Sequence, residues 1–128
     1  MRILLDTHTL LWWLTTPARL SPAIRRNLSS PATQGVVSAA SAWELAIKVK
    51  LGKLAGAEKL VANFVREMET ENLEILSMTV THALRAGSLP GPNQDFFDRM
   101  LLAQAQEEDL PIASDDPALD GYGVRRIW

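Results

Sequence analysis

Five acidic residues lie where carboxylates can act together rather than as scattered surface charges. Asp6 follows a short apolar run near the start of the chain, and Asp115 and Asp116 follow another near its end. Glu44 and Asp98 each fall in the first turns of a predicted helix. Crowded carboxylates repel one another unless a divalent cation neutralises them. With no cysteine and no ligand-like histidine pair, the residues favour an all-oxygen site for Mg²⁺ or Mn²⁺.

Each acid also has an ordinary structural explanation. Asp6 suits the cap of the helix that follows it. Residues 41–44 (Ser-Ala-Trp-Glu) match a capping box, and residues 95–98 repeat its spacing. The Asp-Asp pair at 115–116 precedes a proline, as turn residues do. Taken singly, these explanations are as good as the chemical one, and only the set as a whole favours a common site.

The elements that must position these acids alternate between strand-like and helix-like segments. Short apolar runs predict strands at 2–5, 35–38, 73–76, 111–113 and 124–127. Helical spacing and capping residues predict helices over 7–14, from 21 onward, from after 38 to near 52, over 58–69, from 79 or 81 to 86, and over 96–107. This order predicts an α/β fold, a three-layer α/β/α sandwich around a mostly parallel sheet of four to five strands. Such sheets bind ligands at the carboxyl ends of their strands, where the acids fall.

Composition limits the remaining possibilities. A length of 128 residues with no internal linker predicts one domain over 1–128. The absence of cysteine fits a reducing cytoplasm, and no apolar run approaches the length of a membrane span. The net charge of −2 means that any nucleic acid must be attracted by a local basic patch or by bound cations.

Four segments, in order along the chain, resemble PIN-domain proteins and especially the VapC-like subgroup of bacterial toxins. They are residues 4–13 (LLDTHTLLWW), 38–48 (SAASAWELAIK), 95–105 (DFFDRMLLAQA) and 112–117 (IASDDP). The resemblance implies that the metal ligands and catalytic acids are Asp6, Glu44, Asp98 and Asp116. Asp116 is preferred to Asp115 because the family usually shows a Ser or Thr, one variable residue and then Asp.

The same resemblance implies an activity and its partners. The activity is that of an endoribonuclease that uses Mg²⁺ or Mn²⁺ to activate water and cleaves RNA, with transfer RNA or ribosomal RNA as the expected target. The partners are a cognate antitoxin, with which the chain would form a toxin–antitoxin pair, and a second copy in a homodimer. No membrane partner is expected.

Each of the residues beside the acids has two possible roles. Thr7 and Ser114 either hydrogen-bond a ligand carboxylate or metal-bound water, or cap the ends of their elements. Arg99 either contacts the scissile phosphate or pairs with Asp95 across one helical turn. Lys48 either positions an RNA phosphate or forms an ion pair along its own helix.

The aromatic residues predict part of the core and a surface for a partner. We expect Trp43 and one of Trp12 and Trp13 to be buried. The other, with nearby apolar residues, would form an exposed patch.

Two other functions compete with the nuclease. A haloacid-dehalogenase-like phosphotransferase would use Asp6 as nucleophile and the 115–116 pair for Mg²⁺, but that chemistry usually has a second Asp where His8 stands. A non-catalytic PIN-like module would bind RNA or protein without cleaving, and retention of all four acids speaks against it.

Overall fold

Five parallel strands form the centre of the computed structural model, which describes residues 1–128. They are β1 Arg2–Leu5, β2 Gln34–Ser38, β3 Glu74–Leu76, β4 Ile112–Ala113 and β5 Arg126–Ile127, in the spatial order β3-β2-β1-β4-β5. The helices are α1 Thr7–Thr15, α2 Pro22–Ser29, α3 Ala39–Lys50, α4 Glu58–Ala62, α5 Phe64–Thr70, α6 Val80–Ser88 and α7 Phe96–Glu108. None of the helices has the length and apolar character needed to cross a bilayer.

Two apolar cores lie on opposite faces of the sheet. Along β1, Leu4 packs into one core, whereas Ile3 and Leu5 pack into the other, as the alternation of a strand requires. Leu101 and Leu102 of α7 join Leu4 on its side. The opposite core contains buried residues of four helices: Leu10, Ile24, Leu45 and Met68. The predicted three-layer α/β/α sandwich is confirmed.

The strand register brings three chain segments out of the sheet at one edge. Leu5 at the end of β1 pairs with Val37 on one side and with Ala113 on the other. Each of these residues is followed by a polar one: Asp6, Ser38 and Ser114. The carboxyl ends of the three central strands therefore present polar groups together, at the edge where parallel sheets bind ligands.

The helix predicted over 58–69 is two short helices. The break falls at Asn63, whose side-chain amide donates to the carbonyl of Lys59 at 3.1 Å and whose backbone leaves the helical region at φ −124°. Asparagine competes in this way for backbone groups that a helix would use. The helical spacing of the apolar residues in this segment is correct, since Leu60 and Phe64 pack against the core and Met68 is buried within it.

The expected burial of Trp43 is wrong. Its side chain is 56% exposed, because Leu45, two residues and about 200° further round α3, is the residue that enters the core. Trp12 and Trp13 are both half-buried and both pack at the margin of the core, so neither stands free as a patch. The exposed aromatic surface lies instead around Trp43.

Candidate active site

Helix α3 begins three residues earlier than a capping box over 41–44 would require. Ser38 caps it, its hydroxyl accepting from the backbone N–H of Ala40 at 2.9 Å. Ser41 is therefore buried inside the helix, and Glu44 is not engaged in capping. The capping explanation for Glu44 is therefore wrong.

Asp6 is held rigidly at the end of β1. One carboxylate oxygen of Asp6 accepts from the backbone N–H of Thr9 at 2.8 Å and so caps α1. The backbone N–H of Asp6 donates to the carbonyl of Ala113 at 3.2 Å. The residue is only 7% exposed. Its second carboxylate oxygen accepts no hydrogen bond from the protein, so Asp6 caps a helix and keeps a free oxygen at the sheet edge.

A buried hydroxyl pair fixes α1 against α3. The Thr7 hydroxyl donates to that of Ser41 at 3.0 Å, and both side chains are buried. Thr7 follows Asp6, and Ser41 lies one helical turn before Glu44. The contact therefore fixes the separation of the two segments that carry these acids.

Asp98 lies at the centre of the acidic region. The pKa of its carboxyl is raised from 3.8 to about 6, chiefly by partial burial, against the lowering effect of a hydrogen bond from Asn93 and with smaller contributions from the charges of Asp95, Asp116 and Glu44. The electrostatic influence of Glu44 and Asp116 means that carboxylates from α3, from α7 and from the segment after β4 share one region.

Asp116 and Asp115 differ in their relation to this region. The charge of Asp116 contributes to the raised pKa of Asp98, and that of Asp115 does not. The buried Ser114 hydroxyl accepts from the Asp116 backbone N–H at 3.0 Å and so fixes its position. Asp116 also caps the short 3₁₀ turn Pro117–Leu119 by accepting from the N–H of Ala118. Of the two aspartates, Asp116 is the better placed.

Glu44 already has a cationic partner. The Lys48 ammonium donates to its Oε2 at 2.8 Å, one helical turn away, and the Glu44 side chain is only 13% exposed. Of the two readings of Lys48, the ion pair is the one that the structure contains. A metal ion or a substrate phosphate would have to compete for it.

Arg99 lacks one of the two contacts expected of it, the ion pair with Asp95, and the other, with the scissile phosphate, stays a prediction. Its guanidinium donates to the backbone carbonyls of Ala86, Leu89 and Asn93, and it forms no ion pair with Asp95. The reason is that the last turn of α6 and the loop after it lie over the start of α7 and offer three carbonyls to the guanidinium. Arg99 therefore holds this loop in place.

Asn93 is the residue of this region that the sequence did not reveal. Its side-chain amide donates to Oδ2 of Asp98 at 3.2 Å, and its backbone N–H donates to the Tyr122 hydroxyl at 2.7 Å. An asparagine in a loop with one glycine and two prolines gives no sign of such a role, because the contact depends on how the loop folds.

The donor set suits a hard divalent cation, although its side chains do not form a preassembled cage. The acids at this edge offer only oxygen atoms, the ligand type that Mg²⁺ and Mn²⁺ prefer. No group of three or more His, Asp or Glu side chains is arranged closely enough to hold a metal ion by itself. Glu44 is engaged by Lys48 and Asp98 by Asn93, so binding would require these side chains to exchange partners.

The comparisons with known proteins identify the family. The model of the PIN domain matches residues 3–124, and the chain therefore belongs to the PIN domain family. The resemblance drawn from the four sequence segments is confirmed at this level. No curated protein matches the sequence.

Several solved structures share the fold. One is VapBC2 from Rickettsia felis bound to a promoter DNA fragment, with a TM-score of 0.72, 13% identity, and coverage of 99% of this chain and 98% of the other. A toxin–antitoxin complex from Klebsiella pneumoniae has a TM-score of 0.69 and 19% identity, with coverage of 98% of this chain and 96% of the other. FitAcB from Neisseria gonorrhoeae has a TM-score of 0.67 and 19% identity, with coverage of 100% of this chain and 97% of the other. At these identities the likeness shows the fold.

Proposed function

We propose that the chain, as a single PIN domain over residues 1–128, is a metal-dependent endoribonuclease and the toxin of a toxin–antitoxin pair. Asp6, Glu44, Asp98 and Asp116 would hold Mg²⁺ or Mn²⁺ and carry the reaction. The observation that supports this most is the raised pKa of Asp98, to which the charges of Glu44 and Asp116 contribute. Clustered acids of this kind, at the ligand-binding edge of the sheet, are typical of functional sites.

The chemistry required is hydrolysis of a phosphodiester without a nucleophilic side chain. When bound, Mg²⁺ or Mn²⁺ lowers the pKa of a water molecule enough to make it a nucleophile near neutral pH. Asp6 contributes an oxygen on a rigid cap, and the Thr7–Ser41 contact keeps it at a fixed distance from the turn that carries Glu44. Asn93 orients Asp98 through its amide. The expected products carry 5′-phosphate and 3′-hydroxyl ends.

The partners follow from the family and its structural neighbours. Two of the neighbours are described as VapBC and toxin–antitoxin complexes, which supports a cognate antitoxin as partner of this chain. A homodimer, an RNA substrate from transfer or ribosomal RNA, and action in the cytoplasm complete the proposal.

The test is cleavage of RNA by the purified chain with Mg²⁺, with Mn²⁺ and with a chelator. We expect cleavage with either ion and none with the chelator. Asp6→Asn should lower the rate at least a hundredfold, because asparagine still caps α1 but loses the charge that a cation requires. End-labelling of the products reports whether the phosphate is left on the 5′ end of the downstream fragment.

A matched control removes one negative charge away from the site. Glu69 is exposed at the end of α5, before β3, and Glu69→Gln should cleave at the native rate. Equal cleavage by native chain and Asp6→Asn would refute the nuclease proposal. Binding of RNA without any cleavage would support the non-catalytic module instead, and a phosphorylated Asp6 would support the phosphotransferase.

Lys48 gives a second prediction, on metal affinity. Lys48→Met keeps most of the aliphatic stem and frees the Glu44 carboxylate from its ion pair. We expect the Mn²⁺ concentration for half-maximal cleavage to fall severalfold, with less than ~0.5 kcal/mol change in stability, as for other helix-surface pairs. The measurement is cleavage rate against Mn²⁺ concentration.

Lys50 provides the comparison, since it is exposed on the same helix and forms no ion pair. Lys50→Met should leave the Mn²⁺ dependence unchanged. If Lys48→Met instead raises KM for RNA at unchanged Mn²⁺ dependence, Lys48 is a phosphate contact and the competition argument is wrong.

A further inference from the structure

An apolar pocket opens beside the acidic region, on the side where α3 and α7 meet. Its lining includes Trp43, Met78, Phe96, Phe97, Arg99 and Met100, and seven of its nine residues are hydrophobic. Phe96 is 83% exposed and Trp43 56%. Neither core requires these rings, so their exposure needs another explanation. We call this feature the Trp43 pocket.

The pocket is joined to the proposed site through the chain itself. Trp43 precedes Glu44 and Phe97 precedes Asp98, so the Cα atoms of each aromatic residue and its acid lie ~3.8 Å apart. The two rings meet edge to face, with centroids 5.1 Å apart and planes inclined by 75°. A group seated against Trp43 therefore lies at the same turns of α3 and α7 as Glu44 and Asp98, although their carboxylates point about 100° round each helix from the rings.

The pocket also has a cation whose charge no carboxylate neutralises. Arg2, Arg85 and Arg126 each pair with an acidic side chain. Arg99 donates instead to three backbone carbonyls, which hold its position but leave its positive charge. An aromatic wall with a fixed positive charge at its rim is complementary to a group that is flat, apolar on its faces and attached to an anion.

The size of the pocket restricts the occupant to one ring system. Its volume is about 220 Å³, the space of about seven waters at ~30 Å³ each. A helix, with a diameter of at least ~10 Å, does not enter such a space. A nucleobase does, provided that it is unstacked from its neighbours.

We propose that the Trp43 pocket binds one unstacked base of single-stranded RNA, beside the phosphate that is cleaved, with Trp43 as the stacking surface. This inference rests on the proposed nuclease function and adds the residue against which a base of the RNA stacks. Arg99 is a positioning residue, since it holds the loop that borders the pocket and supplies charge. Because stacking discriminates weakly among bases, the pocket selects unpaired over paired RNA more strongly than it selects sequence.

The test measures binding of an eight-nucleotide oligoadenylate by fluorescence anisotropy, with the full chain carrying Asp6→Asn so that the RNA stays intact. Adding Trp43→Ala should raise Kd about tenfold, the loss expected for one stacked base. Trp43→Phe should remain within about threefold of the parent, because phenylalanine still stacks. Leu51→Ala, at an exposed apolar position on the C-terminal side of α3, should not change Kd.

A second arm separates the base from the phosphates. Oligonucleotides that lack one base, tested position by position, should bind the parent more weakly at one position and bind Trp43→Ala equally at all positions. Unchanged Kd for Trp43→Ala, or equal binding of every abasic oligonucleotide by the parent, would overturn the proposal. So would loss of a protein partner by Trp43→Ala with RNA binding intact, which would make the pocket a protein-docking site.

The outcomes also separate this inference from the function on which it rests. If the native chain cleaves RNA with Mn²⁺ and Trp43→Ala cleaves with the same KM, the pocket assignment fails and the nuclease stands. If the native chain does not cleave but Kd depends on Trp43, the nuclease fails and the base pocket stands.

Discussion

Asp98→Asn is expected to abolish cleavage and, at the same time, to make the protein more stable near pH 7.5. The cleavage rate should fall about a thousandfold, because Asp98 is the acid that lies among the others and its charge is needed to hold a cation. The stability should rise because an ionised, half-buried carboxylate among like charges disfavours the folded state. A side chain kept for folding alone would show the opposite change in stability.

The stability effect has a definite dependence on pH. The folded chain binds the Asp98 proton more tightly than the unfolded chain, with a pKa of about 6 against 3.8. Stability therefore falls as the pH rises from 4 to 6, because in this range the unfolded chain has released the Asp98 proton and the folded chain still retains it. The whole shift corresponds to about 3 kcal/mol, and solvent access to this half-exposed group reduces it to roughly 1 kcal/mol.

The measurement is urea unfolding of both proteins at pH 4 and at pH 7.5, with a chelator present. We expect equal stability at pH 4 and an advantage of roughly 1 kcal/mol for Asp98→Asn at pH 7.5. Asp95→Asn is the matched control, since asparagine caps α7 as well as aspartate does and the same charge is removed one turn away. It should cleave at close to the native rate. A less stable Asp98→Asn at pH 7.5 would contradict the electrostatic argument.

The sequence predicted the sheet and its helices because apolar periodicity depends on local spacing. The apolar run over 2–5 and the helical spacing of apolar residues through Met68 both mark residues that meet a core, and both predictions were correct. The same reasoning placed Asp6 at the sheet edge, since the end of an apolar run marks the end of a buried strand. It could not place Trp43, because a helix with apolar residues on two faces does not say which one the sheet covers.

The side-chain partners within the site were beyond prediction from sequence for a different reason. Arg99 was expected to contact the scissile phosphate or Asp95, and within the chain its partners are carbonyls of α6 and of the loop after it, whose path depends on the whole fold. Asn93 lies in that loop and reaches Asp98 because two residues from outside the loop, Arg99 and Tyr122, hold the loop in position. Contacts of this kind depend on tertiary structure and leave no local pattern.

Gly91→Ala should destabilise the protein by about 3 kcal/mol and weaken cleavage about tenfold, although no atom of Gly91 belongs to the acidic region. Gly91 has φ +114°, a conformation that side chains of L-residues rarely adopt. A Cβ there would lie 2.5 to 2.7 Å from two ring carbons and the hydroxyl oxygen of Tyr122. A buried ring cannot yield as a flexible chain end does, so the loop must move.

The loop movement reaches the site through two hydrogen bonds. The Tyr122 hydroxyl accepts from the backbone N–H of Asn93, and the Asn93 amide donates to Asp98. Displacing Tyr122 therefore releases the side chain that orients Asp98. Tyr122→Phe, which removes only the hydroxyl, should lower cleavage with a smaller loss of stability, of about 1 kcal/mol.

Gly56→Ala separates backbone strain from the contact with Tyr122. Gly56 has φ +91°, but a Cβ there would meet nothing within 4 Å. It should cost about 1 kcal/mol and leave cleavage unchanged. Stability comes from urea unfolding and cleavage from initial rates at 25 °C, where every variant should be folded. If Gly91→Ala loses no more stability and no more cleavage activity than Gly56→Ala, the loop does not control Asp98, and the coupling between Tyr122 and the acidic region is absent.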